Sequence, residues 1–195
     1  MPHSESMTRR TPADTPLREA LIEAGLALLV DGGPEGLTLR RAAARAGVSH
    51  AAPAHHFKGL SGLQTAIAAR AFALFTQAMI ARRDAAPDQP WPRLLAICDG
   101  YLDFAAGRAG LFHVMFVCPD LEPDDSDLAR ESARAYGVLR EGCLPFSGGT
   151  PDAVLEALVW SAVHGYAALG FARPDQQSDG VPPFSALLGR IVPRG

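Results

Sequence analysis

Three features of the 195-residue sequence predict an all-α chain of about nine helices. Apolar residues recur every three or four positions through most of its length. No segment alternates apolar and polar residues for long enough to build a sheet. Clusters of Gly and Pro interrupt the pattern at intervals that suit helices of ordinary length.

The elements follow in order. Residues 1–15 read as a flexible arm with Arg9 and Arg10, and the arm has no apolar stretch of the secretory kind. Thr15-Pro16 pairs a cap with a proline at the first helical position. Leu17, Leu21, Ala24 and Leu28 then share one face until Gly32-Gly33-Pro34. Thr38 is placed to cap a short second helix through Ala44 and Arg45, because its hydroxyl satisfies an orphan N–H. Ala46-Gly47-Val48 breaks that helix. Ser49 is expected to cap a third, reaching about His56, with Pro53 inside it forfeiting one early backbone bond. A longer helix from about Ser61 to Arg83 carries Leu63, Ile67, Ala71, Phe75 and Met79 near one stripe.

The back half repeats the theme. Leu94, Leu95, Cys98, Leu102 and Phe104 mark a helix that ends near Gly107, and Leu111, Phe112, Met115 and Phe116 mark a short apolar one. Pro119 to Asp127 is an acidic loop. The next helix carries Leu128, Tyr136 and Leu139. Pro151-Asp152 opens the strongest helix, expected to run to about Ala172. Pro174 to Pro183 forms a second gap before a last helix with Phe184, Leu187, Leu188 and Ile191.

The strongest helix is apolar nearly all round, which implies burial on several sides. Leu155, Leu158, Ala162, Tyr166 and Leu169 make one stripe, and Ala157, Ser161, Gly165 and Ala168 make a second of small residues only. Trp160, His164, Ala167 and Phe171 make a third. Glu156 and His164 would sit inside the hydrocarbon of a bilayer, so the helix reads as the interior of a soluble protein.

Composition narrows the function. Net charge is −3, but residues 1–70 hold eight Lys/Arg against six Asp/Glu while residues 71–195 hold ten against fifteen. A mildly basic front and an acidic back suggest two jobs. Three cysteines without a C-x-x-C pair suggest a reduced, cytoplasmic setting and neither disulfide framework nor zinc site. The sequence contains no H-E-x-x-H, no glycine-rich phosphate loop and no Ser-His-Asp arrangement, so an enzyme is not expected. No cofactor is expected either.

Residues 38–57 read Thr-Leu-Arg-Arg-Ala-Ala-Ala-Arg-Ala-Gly-Val-Ser-His-Ala-Ala-Pro-Ala-His-His-Phe. This is helix, glycine-centred turn, helix, the pattern of a helix-turn-helix. Ala43 is small where the helices cross, Gly47 takes the left-handed conformation that reverses the chain, and Val48 and Leu39 plug the small core. A second helix so placed lies in the major groove with His50 and His55 at base edges and phosphates. His50, His55 and His56 lack i, i+4 spacing and an acidic partner, so they are expected to meet DNA rather than zinc.

From Gly36-Leu37-Thr38 through Arg45-Ala46-Gly47-Val48-Ser49 to His55-His56-Phe57, the sequence resembles the DNA-binding head of the tetracycline-repressor (TetR) family. Trp160-Ser161-Ala162-Val163-His164-Gly165 is similar to the Trp-x-x-x-His-Gly signature of one C-terminal class in that family. The chain departs from the usual head in carrying Ala54 for a common Tyr, Leu60 for a common Lys and Ala42 for a larger aliphatic residue.

The resemblance implies a helix-turn-helix domain over residues 16–62, with its motif at 38–57, and a ligand-binding and dimerisation domain over 63–195. DNA contacts are expected from Thr38, Arg40, Ser49, His50, Ala51, Ala54, His55, His56 and Lys58, the last being the only lysine. A small effector is expected among Tyr101, Phe104, Phe112, Met115, Phe116, Tyr136, Trp160 and His164. The partners implied are a palindromic duplex, that effector and a second copy of the chain joined through the last two long helices, with no membrane. The resulting function is a repressor released by its effector. The competing reading is a helical interaction module without sequence-specific DNA binding.

Overall fold

The computed structural model describes residues 14–173 and 180–193. Of the expected arm, residues 1–13 lie outside these, as do residues 174–179 of the second gap. Among the described residues there are nine α-helices, two short 3-10 turns and no strand. The helices are α1 (Asp14–Gly32), α2 (Leu39–Arg45), α3 (Ala52–His56), α4 (Gly59–Ala85), α5 (Pro90–Gly107), α6 (Ala109–Phe116), α7 (Ser126–Cys143), α8 (Ala153–Ala168) and α9 (Phe184–Ile191).

Helix α4 is the axis. It packs against α1, α5, α6 and α7 and touches both α2 and α3. The stripe read from the sequence is its buried side: Leu63, Ile67, Ala71, Phe75 and Met79 have no exposed surface. Each such large side chain contributes about 1.5–3 kcal/mol of burial. Composition and length alone would let α4 cross a membrane, but most of it is buried inside the protein. The expected boundary between residues 62 and 63 falls within α4, so a single helix runs from the front unit into the back one.

Local chemistry explains the helix ends. Thr38 Oγ1 accepts from Arg41 N–H at 3.1 Å and caps α2. Helix α2 closes with Val48 N–H on the Ala43 carbonyl (3.0 Å) and Gly47 N–H on the Ala44 carbonyl (3.2 Å), with Gly47 at φ +70°. This is the paired-bond C-terminus in which a left-handed glycine turns the chain away. Helix α8 ends in the same way at Gly170 (φ +78°), where Phe171 N–H reaches the Tyr166 carbonyl and the two rings meet at 5.4 Å. It therefore stops before the expected Ala172.

Two further expectations are corrected. Ser49 does not cap α3, since the chain makes another turn over residues 49–52 and the helix begins at Ala52 with Ala51 in the cap position. Pro53 consequently sits in the first turn, where no N–H is needed. The last helix, Phe184–Ile191, contains the four apolar residues expected in it. The stripe from Leu155 to Leu169 does not act as one face, because Tyr166 is buried while Leu158 and Leu169 are exposed.

Two close approaches fix how the back helices sit. A Cβ on Gly100 of α5 would fall 2.8 Å from the Ala78 carbonyl oxygen and Met79 Cα of α4. One on Gly110 of α6 would fall 2.2 Å from the Leu29 carbonyl oxygen of α1. Both obstacles are backbone, which cannot step aside as a side chain can. Gly100→Ala is expected to destabilise the chain by about 1–3 kcal/mol through overpacking. A thermal melt beside Gly107→Ala, where a Cβ meets nothing within 4 Å, checks this.

Candidate functional site

The front unit presents a continuous exposed surface. Thr38, Arg40, Ser49, His50, Ala51, Ala54, His55 and Lys58 are all exposed. His56 differs, being half-buried with its ring edge-on to Phe57 at 6.4 Å. Buried Ala42, Ala43, Ala52 and Phe57 hold α2 and α3 from below, with the Arg18 guanidinium 5.5 Å from the centre of the Phe57 ring. Thr38 uses a lone pair in capping, so its O–H proton stays available to another acceptor. Arg45 is committed to Asp31 at 2.8 Å.

The segment that forms this surface carries charge of one sign. No Asp or Glu occurs between Gly36 and Arg83, an interval that contains Arg40, Arg41, Arg45 and Lys58. Among the described residues no three His, Cys, Asp or Glu side chains come together in a way that could hold a metal ion.

The back unit gathers the expected effector residues, with one exception. Tyr101 and Phe104 (α5), Phe112 and Phe116 (α6), Tyr136 (α7) and Trp160 and His164 (α8) form one connected set of rings. Phe116 lies 4.9 Å from His164 and 4.8 Å from Phe112, and Tyr101 lies 5.8 Å from Trp160. Met115 is buried but makes none of these ring contacts. Phe72 and Phe75 of α4 complete the set, at 5.4 Å and 6.2 Å from Phe116. In the sequence, Phe75 reads only as a member of the α4 core stripe, and Phe72 lies outside that stripe. Their regular helical spacing carries no mark that separates a binding wall from ordinary core.

Two polar pairs sit among the rings. The Tyr101 hydroxyl lies 2.7 Å from His164 Nδ1. Burial raises the Tyr101 pKa, with Cys98 adding to it, so the phenol keeps its proton. Burial lowers the His164 pKa, which favours the neutral imidazole. The second pair is Tyr136, whose hydroxyl donates to Glu156 Oε2 at 2.6 Å; that bond is the main reason its pKa is raised. Glu156 is buried, and Tyr136 lies 5.6 Å from Trp160. Cys143, pushed up to about 12 by burial, and Cys98, also raised by burial, stay as inert thiols.

Residues 94–180 match the family model for the tetracyclin repressor-like C-terminal domain. No curated protein matches the chain. Solved structures share its fold across nearly the whole length. A protein of unknown function from Rhodococcus sp. RHA1 is 22% identical with a TM-score of 0.72, covering 96% of this chain and 95% of that one. A TetR-family transcriptional regulator from Streptomyces coelicolor is 21% identical with a TM-score of 0.64, covering 91% and 96%. The regulator FadR from Bacillus subtilis, in complex with stearoyl-CoA, is 14% identical with a TM-score of 0.61, covering 91% and 98%. The all-α architecture is therefore that of TetR-family regulators.

Protonating His164 would put a charge against the rings of Phe112 and Phe116. Its pKa is lower folded than unfolded, so its contribution is complete above the unfolded value of about 6.5 and is lost as pH falls below it. The denaturation midpoint of the wild type should drop more between pH 7 and pH 5.5 than that of His164→Gln. Urea titrations at the two pH values give the comparison, and equal drops would mean that His164 does not titrate in the way described.

Proposed function

We propose that the chain is a TetR-family, effector-responsive DNA-binding regulator that acts as a homodimeric repressor. The observation that carries this reading is the exposed surface around the Gly47 turn, built from a segment that contains Arg and Lys but no Asp or Glu and set in a fold shared with such regulators. Residues 16–62 serve as the head and 63–195 as the effector-binding and dimerisation domain, of the Trp-x-x-x-His-Gly type.

In the head, Arg40 and Lys58 neutralise backbone phosphates, and His50 from the turn before α3 and His55 from near its end meet base edges or phosphates. Thr38 and Ser49 donate to phosphate, and Ala51 and Ala54 let the backbone approach closely. His56, turned toward Phe57, has the weakest claim of the set. Phosphate contacts release counterions, so affinity falls steeply with salt.

The effector site lies at the ring cluster, where Tyr101, Phe112, Phe116 and Trp160 take an apolar group and His164 and Tyr136 offer polar contacts. The stearoyl-CoA complex of the Bacillus subtilis protein supports an apolar effector in this fold. Binding there acts on DNA affinity through differential contact with two head spacings.

The dimer reading rests on α8. Val154 (70% exposed), Leu158 (52%) and Leu169 (67%) share its outer side with exposed Ala157, Ser161 and Ala168. Large apolar residues so displayed mark a covered surface, and small ones let a second helix come close. A dimer places two heads about 34–36 Å apart, on successive turns of a palindrome.

Fluorescence anisotropy against the duplex upstream of the chain's own coding region tests the main reading. The wild type should prefer that duplex over a scrambled one, and Lys58→Ala should weaken both and lower the salt slope by about 1. If neither that duplex nor any from a random-sequence selection is preferred, the interaction-module reading replaces this one. A separate measurement concerns assembly. Leu158→Arg costs a monomer under about 0.5 kcal/mol because the site is exposed, yet it should convert a dimer to monomers in sedimentation equilibrium at micromolar concentration.

A further inference from the structure

Lys58 has unusual neighbours. The loop between α6 and α7, residues 117–125, carries Asp120, Glu122, Asp124 and Asp125. It bends back from the body to the start of α4, where Glu122 N–H donates to Thr65 Oγ1 at 2.9 Å. Thr65 is buried, and its own hydroxyl donates to the Ser61 carbonyl at 2.8 Å, so its acceptor faces the loop in a fixed direction. The pinned loop brings the Glu122 carboxylate against the opening turn of α4. Its Oε1 would lie 3.3 Å from a Cβ on Gly62. Lys58, Glu122, Asp124 and Asp125 line one cleft of about 550 Å³. Asp125 is committed there, accepting from Leu128 N–H at 2.8 Å as the cap of α7.

A helix N-terminus with a lysine in its cap position attracts anions. Here the body places its own carboxylates beside that position. Resting on the DNA-binding reading above, we infer that the acidic α6–α7 loop is a built-in competitor of DNA phosphate at Lys58, held in place by Thr65 as its positioning residue. Glu122 and Asp124 draw the Lys58 ammonium toward the cleft and repel a phosphate that approaches the opening turn of α4. The loop thus lowers the head's intrinsic affinity. Because α6 ends at Phe116, a member of the ring cluster, the loop directly continues the segment on which an effector would act.

The test needs neither operator nor effector, because the competition is electrostatic and independent of base sequence. Binding of the full chain to a fluorescent duplex of random sequence is measured from low to moderate salt. Glu122→Gln/Asp124→Asn keeps side-chain shape and removes two charges, and it should raise affinity about five-fold at low salt, with the gain shrinking as ions screen the charges. Thr65→Val should raise affinity in the same direction, and adding it to the double variant should give little more, since both act through the same loop. A merely structural role for Thr65 would lower stability without that gain. If the double variant binds as the wild type does at every salt concentration, the inference is overturned. If wild type, double variant and Lys58→Ala all fail to bind the duplex at low salt, the DNA-binding reading itself fails and takes the inference with it.

Discussion

Leu63, Ile67, Ala68, Ala71, Phe75 and Met79 of α4 have no contact with solvent, and the elements that cover them come from both before and after α4 in the chain. This shared burial is the constraint on which the other features depend. Helix α1 and the two short helices after it cover the front of α4, and α5, α6 and α7 cover the remainder. One continuous core results, running from Leu21 in α1 to Val192 beyond α9. Interiors packed to crystal-like density transmit displacement rather than absorb it. Helix α4 is in contact with α6 and α7 as well as with α2 and α3.

The candidate DNA surface shows how much tertiary support such a small element needs. Helix α3 has five residues, far below the length at which an isolated helix holds in water. Buried Ala52, Pro53 and Phe57 anchor it, and the Gly47 turn sets its direction. The exposed residues on it need no packing of their own, which leaves them free for polar contacts. Small residues at 42 and 43 suit this arrangement, because they let α1 and α2 approach closely without a thick layer of side chains between them.

The ring cluster in the body combines burial with two hydrogen-bonded polar pairs. Tyr101 with His164 and Tyr136 with Glu156 each satisfy groups that would otherwise be costly to desolvate. Both pairs tie α8 to its neighbours, the first to α5 and the second to α7. They also favour particular protonation states, a neutral imidazole and two protonated phenols. Helix α8 consequently has a polar-pinned inner side and a plain apolar outer side.

What the sequence by itself determined was local. The α4 stripe, the Thr38 cap and the left-handed Gly47 were all legible, because helical period and turn chemistry act over a few neighbouring residues. Most of the ring set was legible as a list of aromatic residues in the back half. Tertiary structure decided which of them meet: Tyr101 and His164 are 63 positions apart, and no local pattern pairs them. It also moved the start of α3 past Ser49, since the turn after Gly47 continues until buried Ala52 finds the core. The orientation of α8 was illegible for a different reason. A helix apolar on every side has no preferred inner face, so only its fit against α5, α7 and α9 could turn Val159, Val163 and Tyr166 inward and leave Leu158 and Leu169 outside.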